Sequence, residues 1–289
     1  RAWVEPDVLK TLWFNTGTQC NLTCANCYIE SSPTNDRLVY INTADMLPFL
    51  DEVHKHHPGL EEIGLTGGEP FLNPHILSML EHLARDGFKV LVLTNAMKPM
   101  LRQFEALTKL VHNYPDSFAF RVSMDHYTQE VHQQERGPRS WDVMVQGCTR
   151  LMSISNHVSI AGRSLTDESS AQVSKGYQQL FDQHGWKLDA SNPEDLVVFA
   201  EMNPDQDVAE ITTSCWSILG KNPKDIMCAR SRMVVKKKGA PAPEVIACTL
   251  LPYEEEFSLG ASLKESFRPV SLNHPHCATF CVLGGSSCS

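Results

Sequence analysis

Three cysteines near the start of the chain, Cys20, Cys24 and Cys27, have the residue type and spacing to bind a metal centre. They follow an apolar run at residues 11–15. Disulfide geometry is demanding, so thiols packed this closely cannot all pair with one another without strain. Three thiolates can instead hold three irons of a cubane cluster and leave the fourth iron open for chemistry.

Zinc is the alternative metal for such thiols, because structural zinc sites also use cysteine ligands. Those sites usually combine two close pairs of ligands, and no partner pair lies near these three cysteines. The spacing therefore favours an iron–sulfur cluster, while a zinc site or a purely structural loop stays open.

A second motif, Gly67-Gly68-Glu69-Pro70, follows the predicted strand at residues 63–66. Glycines allow the backbone to approach a ligand without a Cβ in the way. By itself the segment would be an ordinary tight turn after a strand. Its position beside the cysteine loop favours a binding role.

In this order and at this separation, the two motifs resemble those of the radical S-adenosylmethionine (radical SAM) superfamily. Its members carry C-x₃-C-x₂-C after the first barrel strand and Gly-Gly-Glu-Pro after the second. The resemblance implies an α/β fold with a partial (β/α)₆ TIM-like barrel over about residues 8–203. It also implies that the three cysteines hold a [4Fe–4S] cluster whose open iron binds S-adenosylmethionine (SAM). Reductive cleavage of SAM would then give a 5′-deoxyadenosyl radical that abstracts hydrogen from a substrate.

The same resemblance implies roles for residues at other strand ends. The Gly-Gly-Glu-Pro segment would bind the SAM amino group through backbone carbonyls and Glu69, and Arg163 would pair with its carboxylate. The remaining implied SAM contacts are Ser123 and Asp125 on the ribose, and Thr94, Asn95 and residues near Leu196 to Phe199 on the adenosine.

Other interpretations of these residues stay open. Polar residues after a strand are also common loop chemistry, and Arg163 could form a surface ion pair. The chain departs from the family at Asn26, where an aromatic residue often packs near adenine; here Tyr28 lies just after the third cysteine.

Alternating strands and helices support this architecture. Short apolar, β-branched runs predict six strands, with helical patterns between them. We expect the strands at residues 11–17, 63–66, 89–94, 118–123, 158–161 and 196–199, and helices at 43–57, 73–87, 99–113, 140–154 and 169–184. Thr43 is the expected cap of the first helix and Asn73 of the second. The alternation predicts parallel strands with covering helices, which a doubly wound sheet would also fit.

Near residue 203 the helical periodicity of the sequence fades and cysteines reappear, so we expect two domains, 1–203 and 204–289. Strands at 232–236 and 244–247 predict a β-hairpin. A hairpin between two cysteines, followed by a terminal cysteine pair, is similar to the Twitch/SPASM extensions of some radical SAM enzymes. The extension should be a small, cysteine-rich α+β unit.

That similarity implies an auxiliary [4Fe–4S] cluster. Its expected ligands are Cys228, Cys248, Cys277 and Cys281, with Cys288 as the rival fourth ligand. There are fewer cysteines than the full SPASM pattern needs for two clusters, so we expect one. Disulfides are the alternative.

Two further cysteines have separate interpretations. Cys215, beside Trp216, is a candidate catalytic hydrogen donor, a cluster ligand or a core residue. Cys148 falls in a helical stripe with Met144 and Leu151, which favours a packed small hydrophobic residue.

Composition limits the class of protein. The 289 residues carry a formal net charge of −9, which disfavours nucleic-acid binding as the main function. No apolar run approaches the roughly 20 residues that span a bilayer. Ten cysteines in a chain of this length suggest metal binding in a reducing cytoplasm rather than a secreted disulfide scaffold.

The leading hypothesis is therefore a cytoplasmic radical SAM enzyme. Its expected partners are SAM, a peptide or small-molecule substrate, and a reductant such as flavodoxin or ferredoxin, without a membrane. One alternative is a non-catalytic metal-binding or redox-sensing protein. Another is an RNA-modifying radical SAM enzyme, which the acidic composition disfavours.

Overall fold

A single nine-stranded sheet forms the centre of the molecule in the computed structural model, which describes residues 1–201 and 207–285. A separate pair of short strands, the first and last of the described chain, lies outside it. The strands are β1 Trp3–Val4, β2 Thr11–Asn15, β3 Glu62–Thr66, β4 Val90–Thr94, β5 Phe118–Ser123, β6 Val158–Ser164, β7 Leu196–Ala200, β8 Ser231–Val235, β9 Glu244–Ile246, β10 Ser258–Gly260 and β11 Val270–Ser271.

The order of the strands identifies the architecture. From β2 to β7 every new strand lies parallel to the one before it and on the same side of it. A doubly wound sheet would instead reverse direction at a switch point. The predicted partial (β/α)₆ barrel is therefore confirmed, and all six predicted strands are present.

Helices cover this sheet, and several differ from the prediction. They are α1 Thr43–His56, α2 Ile76–Arg85, α3 Lys98–Arg102, α4 Phe104–Asn113, α5 Gln129–Arg136, α6 Ser140–Ile154, α7 Ser170–His184, α8 Cys215–Leu219, α9 Met227–Arg230 and α10 Leu263–Ser266. The helix predicted at 99–113 is divided into α3 and α4 at Gln103, whose side chain donates to the carbonyl of Phe71. The polar helix α5 was not predicted.

Both predicted helix caps are wrong. Asn42 caps α1, because its side chain accepts from the backbone of Asp45 in a capping box. Asn73 lies before α2 and is fully buried. Its side-chain amide donates to the carbonyls of Thr16 and Ile41, at 3.0 and 2.8 Å, and its side-chain oxygen accepts from the His75 amide at 2.8 Å, so it joins two loops at the turn before α2.

The barrel core lies between the strands and their helices. Every residue of β2 is buried, and apolar side chains of the neighbouring strands pack against the buried faces of α1, α2, α4, α6 and α7. Cys148 is fully buried in this core, as predicted for a packed small residue.

The predicted hairpin is confirmed as β8 and β9, which pair antiparallel. However, β8 also pairs in parallel with β2, so the C-terminal segment extends the barrel sheet. Residues 203 and 204, at the expected domain boundary, lie outside the described residues. The two-domain division stays a prediction. Within the described ranges, no helix has the length and apolar character needed to cross a bilayer.

The contact between α6 and the turn after β4 gives a test of this packing. A Cβ at Gly147 would lie 1.7 Å from the carbonyl oxygen of Ala96, a backbone atom. Gly147→Ala gains about 1 kcal/mol of helix propensity, but we expect overpacking to exceed this gain. The expected net loss in the free energy of unfolding is about 1–3 kcal/mol, measured by urea denaturation. Ser153→Ala, at an exposed position of the same helix, should change it little. A stabilised Gly147→Ala protein would contradict this packing.

Candidate functional site

A cavity of about 220 Å³ lies at the carboxyl ends of the parallel strands. Its walls are the cysteine loop and the turns or strand ends of β3, β4, β5 and β6. The predicted site residues that line it are Cys20, Cys24, Cys27, Gly67, Gly68, Thr94, Asn95, Ser123, Asp125 and Arg163. Residues scattered over about half of the chain are therefore brought together, as expected where parallel strands end at one edge.

The cysteine loop presents three free thiols, with Cys20 buried and Cys24 and Cys27 half-buried. Burial raises the pKa of Cys20 to about 12 and also raises the pKa of Cys24, so these groups stay protonated until a cation replaces the proton. The backbone amides of Leu22 and Ser31 donate to the sulfurs of Cys20 and Cys27, at 3.4 and 3.3 Å. Such hydrogen bonds tune iron–sulfur clusters.

The three thiols face a common space without meeting at one point. Among the residues that the structure describes, no group of three His, Cys, Asp or Glu side chains is close enough to hold a single metal ion.

Glu69 and Pro70 do not line the cavity. The Glu69 carboxylate is buried and accepts from the Thr94 hydroxyl at 2.9 Å and from the amides of Asn95 and Phe71 at 2.8 and 3.1 Å. Burial raises its pKa to about 7, although these hydrogen bonds oppose the rise. In this structure Glu69 joins the turn after β3 to the turn after β4, and its contact with SAM stays a prediction.

The two glycines allow the turn after β3 to dock against the backbone that leads to Cys20. A Cβ at Gly68 would lie 2.2 Å from the carbonyl oxygen of Gln19. Gly67 has a φ of +140°, and a Cβ there would lie 2.5 Å from the Gly17 carbonyl oxygen. The Gly68 and Glu69 amides donate to these same two carbonyls. The atoms that leave no room for a side chain at Gly67 and Gly68 are therefore backbone atoms of the neighbouring loop.

Asp125 forms a buried, bidentate ion pair with Arg136, at 2.7 and 3.0 Å. Burial alone would raise the Asp125 pKa, but the guanidinium outweighs it and the pKa is lowered. Arg136 also lines the cavity, and its positive charge partly offsets the rise in the Cys24 pKa that burial causes. Sequence reasoning missed Arg136 because it lies at the end of the unpredicted helix α5.

Arg163 lies inside β6 rather than after it, and it is only 7% exposed. Its guanidinium pairs with Glu135 at 3.3 Å and with Glu201. Arg163 therefore forms the ion pair considered from the sequence, but its guanidinium is buried rather than at the surface. The expected contact between Arg163 and the SAM carboxylate stays a prediction.

Comparison with known families agrees with this arrangement. A family model described as the radical SAM superfamily matches residues 14–169, more than half of the chain and the part that carries both motifs. The chain belongs to the radical SAM superfamily.

Among curated proteins, the chain is similar to the antilisterial bacteriocin subtilosin biosynthesis protein AlbA of Bacillus subtilis (strain 168). The two are 34% identical over 148 residues, which cover 50% of this chain and 30% of AlbA. The chain thus spans less than a third of this relative.

Two solved structures share the fold. Streptococcus suis SuiB bound to S-adenosylmethionine has a TM-score of 0.62 at 14% identity, covering 88% of this chain and 64% of SuiB. A histidine-tagged form of anSMEcpe with bound AdoMet has a TM-score of 0.64 at 16% identity, covering 89% of this chain and 80% of anSMEcpe.

The residues present fit the cofactors of a radical SAM protein. Iron–sulfur clusters are bound by thiolates, and three thiols with two N–H···S bonds face the cavity. Beside them the cavity offers polar groups for a small charged ligand, including Ser123, Arg136 and Arg163.

A second set of cysteines lies in the C-terminal part. Cys228, Cys248, Cys277 and Cys281 line one small apolar pocket of about 20 Å³. Burial raises the pKa of Cys228 to about 12 and that of Cys248 well above its ordinary value, and charge on the neighbouring thiols raises the Cys248 pKa further.

The structure bears on the disulfide alternative for this second set of cysteines. Cys228, Cys248 and Cys277 are free thiols in the structure, so the disulfide alternative does not hold for these three. Cys288 lies outside the described residues. The identity of the ligands and of their metal stays a prediction.

Cys215 does not join either set. It begins α8, is half-buried, and does not line the central cavity or the second pocket. Hydrogen bonds from the hydroxyl and amide of Thr212 lower its pKa. Its predicted role as a hydrogen donor stays untested.

Several polar residues that build the site carry no sequence signal of their own. The side chain of Asn95 donates to Asn21 at 3.0 Å and lies 3.8 Å from the Cys20 sulfur. The buried Arg232 donates to the carbonyl of Cys228 at 2.5 Å. Asn21 is a variable position of the cysteine motif and Arg232 lies outside both motifs, so only their contacts in the fold make them recognisable.

The Glu69 carboxyl predicts a pH dependence of stability before cofactors are loaded. Its folded-state pKa of about 7 lies above the ordinary value of 4.5, so the folded state binds a proton that the unfolded state has released. Stability should fall as pH rises from about 4.5 to 7, by on the order of 2–3 kcal/mol. Urea unfolding of the wild type and of Glu69→Gln, which lacks this group, isolates the effect. A constant stability difference between the two proteins over this range would contradict it.

Proposed function

We propose that this chain is a radical SAM enzyme that binds a [4Fe–4S] cluster through Cys20, Cys24 and Cys27 and cleaves SAM beside it. The observation that supports this most strongly is the placement of the three thiols and the Gly67-Gly68 turn around one cavity in a chain of this superfamily. When bound, the reduced cluster supplies one electron to the sulfonium of SAM, which releases methionine and a 5′-deoxyadenosyl radical.

The protein's own residues orient the ligands. The turn after β3 carries backbone groups to the cavity, and Glu69 fixes it to the turn after β4. Arg136 and Arg163 line the cavity wall, where their guanidinium groups, although paired with Asp125 and with Glu135 and Glu201, can donate hydrogen bonds to the carboxylate of a bound amino acid. Ser123 and Asp125 supply hydroxyl and carboxylate groups for a ribose. Because Asp125 is held by Arg136, its oxygens are already oriented.

We propose a peptide as the substrate. AlbA is named for the biosynthesis of the bacteriocin subtilosin, and SuiB has been solved with its precursor peptide SuiA, in a structure with a TM-score of 0.60 to this chain. These observations favour peptide maturation over a free small molecule. They also favour it over RNA modification, which the net charge of −9 already disfavours.

We further propose that residues 204–289 form a unit that carries an auxiliary cluster. The four cysteines of the apolar pocket supply a complete set of thiol ligands, and Cys288 stays a candidate. An electron acceptor at that position would allow oxidation or crosslinking of a substrate radical. A flavodoxin or ferredoxin would supply the first electron.

Cleavage of SAM is tested by anaerobic reconstitution with iron and sulfide, followed by dithionite and SAM. Wild type should produce 5′-deoxyadenosine, and Cys24→Ala should reduce it by about 100-fold or more, because loss of one thiolate removes the cluster. Cys148→Ala, at a buried cysteine of the barrel core, is the matched control and should stay active. Cluster binding without any SAM cleavage would favour the redox-sensing alternative instead.

The auxiliary cluster is tested by iron content. Two [4Fe–4S] clusters give about eight irons per chain, and Cys248→Ala should lower this to about four while the SAM-binding cluster remains. The double variant Cys24→Ala/Cys248→Ala should retain almost none. Equal iron content in wild type and Cys248→Ala would refute an auxiliary cluster at these thiols.

A further inference from the structure

Glu135, in the last turn of α5, meets the cysteine loop between its second and third thiols. Its backbone carbonyl accepts from the amide of Ala25 at 2.9 Å. Its carboxylate accepts from the side chain of Asn26, with both oxygens at 3.1 Å. Two consecutive residues of the three-thiol loop are therefore bound to one residue that lies far later in the sequence.

The same carboxylate is connected to the barrel wall. Arg163 of β6 donates to Glu135 at 3.3 Å and also pairs with Glu201, just after β7. The guanidinium lies 5.4 Å from the ring of Tyr28, so it contacts the loop on the far side of Cys27 as well. Glu135 thus links the loop to the later strands of the barrel.

The pair between Glu135 and Arg163 is shielded from water, whereas the Asn26 side chain that donates to Glu135 is exposed. The side chain of Glu135 is 13% exposed and that of Arg163 is 8% exposed. Hydrogen bonds to charged groups are stronger than neutral ones, and exposed ion pairs contribute little. Arg163 therefore fixes the Glu135 carboxylate on its shielded side, and the charge-assisted hydrogen bond from Asn26 attaches the exposed segment of the loop to that fixed carboxylate.

The helix that carries Glu135 is itself anchored. The next residue, Arg136, forms its bidentate pair with Asp125, which lies just after β5. The last turn of α5 is consequently fixed to the barrel, and Glu135 projects from that fixed turn to the loop.

We propose that Glu135 is a positioning residue for the cysteine loop: it keeps Cys24 and Cys27 at the separation that a cluster requires. The proposed restraint of the cysteine loop by Glu135 depends only on the contacts above. The effect on cluster retention rests also on the proposed function.

The test first adds a negative charge at residue 26 of the Asn26–Glu135 contact and then removes the one at residue 135. In Asn26→Asp, two carboxylates face each other and repel, which should free the loop. Adding Glu135→Gln should restore the link, because the glutamine amide can donate to Asp and its oxygen can still accept from Arg163. Glu130→Gln, at an exposed position of the same helix, is the control for removing a negative charge.

Hydrogen exchange of residues 20–30, measured before any cluster is loaded, reads the loop directly. Exchange should be about threefold or more faster in Asn26→Asp and return near the wild-type rate in the double variant. Equal exchange in all four proteins would overturn the proposed contact, whether or not the protein binds a cluster.

Cluster retention is measured next, as the anaerobic half-life of the 4Fe–4S absorbance in the presence of an iron chelator. It should shorten about threefold or more in Asn26→Asp, recover in the double variant, and stay unchanged in Glu130→Gln. A loosened loop with an unchanged half-life would overturn the positioning role. Wild-type protein that binds no cluster would instead overturn the proposed function, while the exchange result would still decide the loop contact.

Discussion

The site depends on the docking of the turn after β3 against the backbone between β2 and Cys20. Two amides of that turn donate to the carbonyls of Gly17 and Gln19, and neither Gly67 nor Gly68 leaves space for a side chain. This contact fixes the backbone that leads into the cysteine loop relative to the end of β3. Since Glu69 extends the same turn toward Thr94 and Asn95, three consecutive strand ends are joined as one unit.

Buried charge is arranged in pairs around this unit. Arg136 neutralises Asp125, and Arg163 lies between Glu135 and Glu201. Breaking a buried pair by removing one partner leaves an uncompensated charge, which is strongly destabilising. Such pairs allow a cavity to be polar and still keep its side chains fixed. A cavity that is rigid before its ligands arrive spends less of the binding energy on ordering.

The sequence was sufficient for the parts of the structure that depend on local pattern. The strands are apolar, β-branched runs, and the thiols and glycines lie at fixed distances from strand ends, so their convergence follows from parallel topology. The auxiliary cysteines could be grouped only by the similarity of a hairpin between two cysteines, followed by a terminal pair, to the Twitch/SPASM extensions; the hairpin between Cys228 and Cys248 is present.

The rest could not be predicted because its determinants are distant contacts. Helix α5 is almost entirely polar, with only His132 buried, so it lacks the apolar stripe by which helices are recognised. The partners Asn26 and Glu135, and likewise Asp125 and Arg136, meet only after the barrel has formed. The position of Asn73 is similar: its side-chain oxygen accepts from the turn before α2, but its side-chain amide donates to two buried carbonyls from distant parts of the chain.

The pairing of β8 with β2 has a consequence for how the chain acquires its shape. The strand that leads into the thiols is an interior strand, flanked by β3 on one side and on the other by β8, which lies near the opposite end of the sequence. On a growing chain β2 keeps one edge without a hydrogen-bonding neighbour until that late segment has been synthesised. Contacts of such high sequence separation are slow to form. The strand that leads into the thiols is therefore completed only after β8 has been synthesised, and the thiols must remain reduced throughout that interval.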